Sequence, residues 1–107
     1  MPGISVGTST VYMFERQLEE KLNKKIRELG GLPLKFTSPG HVGVPDRIIL
    51  MPNGRIYFVE MKRHRGKKVL DMQKYTFEKF EEMGFKVYIL DSMREIEKFI
   101  KVLEDEQ

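Results

Sequence analysis

The chain has no cysteine among its 107 residues. That excludes disulfides, zinc–thiolate centres and a thiol nucleophile, and a reducing, cytoplasmic compartment is the simplest reading. Long apolar runs are missing too: none approaches the roughly 18 to 20 residues that span a bilayer, so no membrane partner is expected. The opening Met-Pro-Gly-Ile-Ser-Val-Gly-Thr-Ser-Thr has no basic stretch followed by an apolar core, so it does not read as a secretory signal. Residues 1–9 read as a flexible lead-in. Histidine is scarce, with two in all and no helical His-x-x-x-His spacing, which argues against a zinc site. There are no internal repeats, low-complexity tracts or linkers, so one domain over 1–107 is expected.

What is present suits a small folded protein: 40% hydrophobic and 10% aromatic residues, enough for one core at this length. The net charge of +3 tolerates a nucleic-acid partner without demanding one. Its distribution is more telling. Acidic residues crowd the first helix and the C-terminal tail, while Lys62-Arg63-His64-Arg65-Gly66-Lys67-Lys68 forms a basic run.

Hydrophobic spacing predicts the elements. Val11, Phe14, Leu18, Leu22, Ile26 and Leu29 recur in steps of three and four, an amphipathic helix over 11–29 that Gly30-Gly31 ends. Leu32–Phe36 is a short strand candidate, and Ser38–Val44 is rich in turn residues. Asp46–Met51 and Arg55–Lys62 read as two strands around Pro52-Asn53-Gly54, a hairpin signal because Asn and Gly tolerate positive φ. Asp71–Met83 reads as a helix stopped by Gly84, Phe85–Leu90 as a buried strand, and Ile96, Phe99, Ile100 and Leu103 as a last helix. A strand reached through a helical crossover implies a mixed sheet flanked by helices, in an α/β fold.

Three residues could carry chemistry. Asp46 follows Pro45, which forces an extended entry to its strand. Glu60 and Lys62 lie two apart, on one face by strand periodicity. The end of their strand is expected to lie past the start of its neighbour, not directly opposite Asp46, so the two carboxylates would meet through twist or splay. A hard cation such as Mg²⁺ takes oxygen ligands and only one or two protein carboxylates. Asp46 and Glu60 would serve, with the Met61 carbonyl as a third oxygen. Lys62 would hold an attacking water or stabilise phosphate charge. Taken singly, a Pro-Asp is usually a turn and a Glu-x-Lys usually a solvated strand face.

These residues resemble the PD-(D/E)XK nuclease superfamily, and more narrowly the stand-alone VRR-Nuc family. The resemblance rests on Gly30-Gly31-Leu32, Lys35-Phe36, Ser38-Pro39-Gly40, Gly43-Val44-Pro45-Asp46-Arg47, Phe58-Val59-Glu60-Met61-Lys62 and Gln73, in the family's order from about Leu18 to Asp91. It implies a restriction-endonuclease-like α-β-β-β-α-β core, here with an extra C-terminal helix, and hydrolysis of DNA phosphodiesters with Mg²⁺ or Mn²⁺. Stand-alone members resemble Holliday-junction resolvases, which act as homodimers on branched DNA. The resemblance also implies a metal-facing glutamate on the first helix. Leu18-Glu19 matches best, Glu15 shares its face one turn away, and Glu20 is the third candidate. Gln73 matches a glutamine that orients the lysine, a phosphate or a water. Leu70 departs from the pattern, standing where family members often carry a Ser or Thr cap, a role Asp71 could partly take.

Arg47, Arg63, Arg65, Lys67 and Lys68 are then the candidate substrate contacts, giving salt-sensitive, sequence-independent affinity for phosphates. His41 and His64 read as loop residues. The leading expectation is a metal-dependent endonuclease on branched DNA in a bacterial or phage-infected cell. Two alternatives compete: a non-catalytic nucleic-acid-binding module that works through the basic run, and an interaction subunit that works through its apolar helix faces.

Overall fold

The computed structural model describes residues 8–62 and 71–107, with side chains from residue 16 onward. The elements run α1 (Thr8–Glu28), β1 (Leu32–Lys35), β2 (Arg47–Met51), β3 (Arg55–Met61), α2 (Asp71–Glu82), β4 (Val87–Leu90) and α3 (Met93–Asp105). This is the expected α-β-β-β-α-β order with its added C-terminal helix. The first helix begins earlier than its apolar spacing indicated, so Thr8 and Ser9 belong to it and not to a lead-in. The rest of that proposed lead-in, residues 1–7, lies outside the described residues, as does Leu70.

Gly30 and Gly31 close α1 as their spacing implied. Gly30 takes φ +86°, its N–H donates to the Arg27 carbonyl, and the Gly31 N–H donates to the Ile26 carbonyl. These are the paired bonds that satisfy the last carbonyls of a helix while turning the chain out of it. Gly31 also permits a close approach to the sheet: a Cβ there would lie 2.9 Å from the Leu50 carbonyl oxygen.

The sheet order is β1-β2-β3-β4, with β1–β2 and β2–β3 antiparallel and β3–β4 parallel. The α2 crossover between β3 and β4 makes the sheet mixed. One face carries the core. Leu18, Leu22 and Ile26 of α1 and Ile96, Phe99, Ile100 and Leu103 of α3 bury against Ile49, Met51, Val59 and Leu90. The other face meets α2, where the Phe58 ring stands edge-on to Phe80 and Phe85 at 4.9 and 5.6 Å. Ser92 caps α3, its Oγ accepting from the Glu95 N–H. Among the described residues no helix is long and apolar enough to cross a membrane.

The β2–β3 register is the feature that positions the site. Met51 pairs with Arg55 and Arg47 with Val59, so one step further along the same ladder Asp46 faces Glu60. This corrects the expectation that the carboxylates would be offset and need splay to meet. The connection leaves all three of Pro52, Asn53 and Gly54 outside the ladder, with Asn53 at φ 69° and Gly54 at φ 75°.

The two faces of the sheet differ in what they hold up. Leu22→Ala opens a cavity in a fully buried position and is expected to cost about 2–5 kcal/mol. Leu50→Ala, on the partly exposed face, should cost under about 1 kcal/mol. Urea unfolding midpoints at unchanged m-value check the contrast.

Candidate active site

Four polar or charged side chains are buried among the described residues: Arg47, Glu60, Lys62 and Thr76. Arg47, Glu60 and Lys62 lie at the end of the sheet where β2 begins and β3 finishes, and Thr76 lies on α2. Burying charge costs several kcal/mol per ion unless partners replace the lost water. The first question is therefore what each is bonded to.

Asp46 is pinned from both sides by its main chain. Its carbonyl accepts the Phe36 N–H at 2.9 Å, and its N–H donates to Glu60 Oε1 at 3.1 Å. Its carboxylate reaches back across the strands, with Oδ1 accepting the Met61 N–H at 3.2 Å. Each carboxylate thus takes a main-chain donor from the opposite strand end, where a continued ladder would have used carbonyls. The result is two acidic groups held side by side by fixed donors.

Glu60 is closed off on its other oxygen by α2. Gln73 Nε2 donates to Glu60 Oε2 at 3.0 Å, while Lys62 Nζ donates to Gln73 Oε1 at 3.1 Å and stands 3.5 Å from Glu60 Oε2. Gln73 therefore uses its donor on the carboxylate and its acceptor on the ammonium. No carboxylate or lysine could make both bonds. The Lys62 main chain is itself held, its N–H donating to the Leu90 carbonyl at 2.9 Å. The structure brings Asp46, Glu60, Lys62 and Gln73 into one connected network.

Glu19 and Arg47 form a second unit. The buried Arg47 guanidinium pairs with the Glu19 carboxylate. Arg47, expected as a substrate contact, is here paired with a first-helix carboxylate. Glu19 does border the site, since a cleft of about 440 Å³ between α1 and the sheet is lined by Glu19, Asp46, Arg47, Met61 and Lys62. Glu20 points elsewhere, to Arg16 at 3.7 Å. The Glu15 side chain, and Arg63, His64, Arg65, Lys67 and Lys68, lie outside the described residues.

The donor chemistry suits a hard cation. Asp46 and Glu60 are two oxygen ligands whose mutual repulsion a dication would relieve. Among the described residues no three of His, Cys, Asp and Glu come together as a metal site. Magnesium, which keeps several waters and takes one or two protein carboxylates, does not need three.

Sequence reasoning missed what holds α2 against the site. The loop after β1 is stapled to α2 by Thr76, whose hydroxyl donates to the Val42 carbonyl at 3.1 Å and lies 3.2 Å from His41 Nε2. A hydroxyl has one proton to give, so His41 Nε2 is the donor to Thr76. His41 is thus a bracing residue. Gly43, at φ +93°, lets the loop pass so close to α2 that a Cβ would lie 2.7 Å from the Met72 carbonyl oxygen and 3.1 Å from the Gln73 nitrogen. The signal for this was Gly43 itself, a glycine outside any turn dipeptide. Gly43→Ala is expected to cost about 1–3 kcal/mol in stability and to shift the Gln73 side-chain amide resonances. Gly40→Ala, with nothing within 4 Å, should leave both unchanged. Chemical denaturation and ¹⁵N-correlated NMR spectra of the two variants test this.

Comparison with known proteins agrees with the geometry. No family model matches the chain. A curated protein described as "Putative nuclease p44", from Acyrthosiphon pisum secondary endosymbiont phage 1, is 41% identical over 78 residues, covering 73% of this chain and 83% of that protein. A solved structure described as a VRR_NUC domain superposes with a TM-score of 0.75 at 30% identity, covering 81% of this chain and 94% of that one. A likeness of that identity and extent, in fold and in sequence, places the chain: it belongs to the VRR-Nuc family of the PD-(D/E)XK nuclease superfamily and has the restriction-endonuclease-like α/β fold.

Proposed function

We propose that the protein is a metal-dependent DNA endonuclease, selective for branched DNA, with Asp46, Glu60, Lys62 and Gln73 as its catalytic set. The observation that carries this reading is the connected network of two carboxylates in register, an ammonium and a bridging amide, of which Asp46 and Lys62 line the cleft.

Asp46 and Glu60, with the Met61 carbonyl beside them in sequence, would hold Mg²⁺ or Mn²⁺. A bound divalent ion polarises a phosphodiester oxygen and lowers the pKa of water. Lys62, kept in place by Gln73 and Glu60, orients the attacking water or offsets charge that develops on the phosphate. Gln73 fixes the distance between Lys62 and Glu60, because it is bonded to both. Glu19 lines the same cleft and would add a carboxylate to the metal if it turned from Arg47. Arg47, Arg63, Arg65, Lys67 and Lys68 would serve DNA phosphates. The match to a phage protein and the lack of cysteine support action in the cytoplasm of a bacterial or phage-infected cell.

The test is cleavage of single-stranded, duplex, flap and four-way-junction DNA with Mg²⁺, Mn²⁺ or EDTA. Metal-dependent cutting, fastest on branched DNA, is expected. Asp46→Ala should slow it by about a thousandfold, the equivalent of ~4 kcal/mol of transition-state stabilisation. A folded Asp46→Ala protein that cuts as fast as the parent sinks the assignment. Binding without cutting under either metal would favour the non-catalytic nucleic-acid-binding module.

We also propose a homodimer, which would present two such sites to two strands. Leu32, Leu50 and Ile56 are cross-strand neighbours on β1, β2 and β3 and form an exposed apolar row on the sheet face opposite the α1–α3 core. A second copy would cover it. Sedimentation at micromolar concentration should give a dimer that Ile56→Lys converts to monomer, and a monomeric parent would refute it.

A further inference from the structure

The cations around the cleft are unequally engaged. Arg47 is committed to Glu19, and Lys62 to Gln73 and Glu60. Arg16, on α1, meets Glu20 in an exposed pair at 3.7 Å that offers little resistance to exchange. Lys35 has no ion-pair or hydrogen-bond partner among the described residues, yet it lines the cleft together with Arg16 and Thr37. Lysine on an edge strand is often a guard against strand pairing. Here the lysine also borders the cleft.

Its position follows from the sheet. Lys35 is the last residue of β1 and pairs with Arg47, so it sits one residue from Asp46 across the β1–β2 ladder. The next residue, Phe36, donates its N–H to the Asp46 carbonyl, which carries the pairing to the catalytic aspartate itself. Lys35 and Arg47 are directly opposed, so their side chains share one face of the sheet. Lys35, Phe36 and Thr37 in succession border this one cleft where β1 ends.

We infer that Lys35, with Thr37 beside it and Arg16 across the cleft, forms a phosphate subsite that grips the DNA backbone at a phosphate flanking the scissile one. The inference rests on the nuclease reading for what lies at the centre of the cleft. It assigns a role to the Lys35-Phe36 pair, which the catalytic set leaves unused. It also places a backbone contact on the β1 side of the cleft.

Equilibrium binding to four-way-junction DNA in EDTA tests it without cleavage. Lys35→Gln is expected to weaken binding roughly threefold at moderate salt and to reduce the slope of log affinity against log salt by about 0.9, one duplex phosphate contact. Lys35→Arg, which keeps the charge, should bind like the parent. Single methylphosphonates placed around the cleavage point should include one position that weakens the parent and leaves Lys35→Gln unaffected. Arg16→Gln should add to the loss. Parent-like affinity and slope in Lys35→Gln, or equal methylphosphonate losses in both proteins at every position, would overturn the subsite. The two readings fail separately. A parent that cuts nothing under Mg²⁺ or Mn²⁺ defeats the endonuclease, while the binding slopes still decide Lys35.

Discussion

The site depends on one strand register. With Met51 opposite Arg55, Asp46 falls opposite Glu60, and both carboxylates come to the same face of the sheet. A hairpin in which Asn53 and Gly54 alone formed the turn would pair Pro52 with Arg55. Asp46 would then stand opposite Met61, and Glu60 would face away from it. Strand periodicity makes such a slip all-or-nothing, because moving by one residue sends every side chain to the other face. Keeping Pro52 out of the ladder as well is therefore what lets the two carboxylates meet. Proline supports this, since it has no N–H to contribute to a ladder.

Once the register is set, the charges need partners. Arg47, Glu60 and Lys62 are all buried, and bringing them there costs more than any one pair returns unless the geometry is good and the remaining donors are used. The protein meets that with two pairings, Arg47–Glu19 and Lys62–Gln73–Glu60. Main-chain N–H groups, each carrying only a partial charge, supply one donor to each of the two carboxylates, and Gln73 and Lys62 complete the surroundings of Glu60.

Sequence patterning made the elements legible to within a few residues, because α1 and α3 follow a helical hydrophobic period and α1, α2 and the hairpin strands are bounded by glycine or a turn. The family of the chain was legible too, in the ordered set from Gly30 to Gln73, and the comparisons with known proteins bear out the family. The meeting of Asp46 and Glu60 was not, because it turns on whether two residues or three leave the ladder, and Pro-Asn-Gly is compatible with either. The Arg47–Glu19 pair was equally hidden. It joins residues 28 positions apart through the packing of α1 on the sheet, and no periodicity in either element reports on the other. Thr76 showed no sign at all: on α2 it is one residue of a helical turn, and its buried hydroxyl matters only once the loop at Val42 lies over it.

That loop explains why so small a protein can hold a precise site. Gln73 sits in the first turn of α2, where a helix frays most easily and where its N–H groups have no intrahelical partner. Only tertiary contacts can hold it still. Thr76, one turn further in, is bonded to the loop, and Gly43 presses the loop onto Met72 beside Gln73. The same loop runs directly into Pro45 and Asp46. The chain between β1 and β2 therefore joins the two halves of the network, fixing Asp46 at its end and Gln73 through its middle. Disturbing it would move the carboxylate and the amide together, even though no loop residue before Asp46 contacts Glu60 or Lys62 among the described bonds.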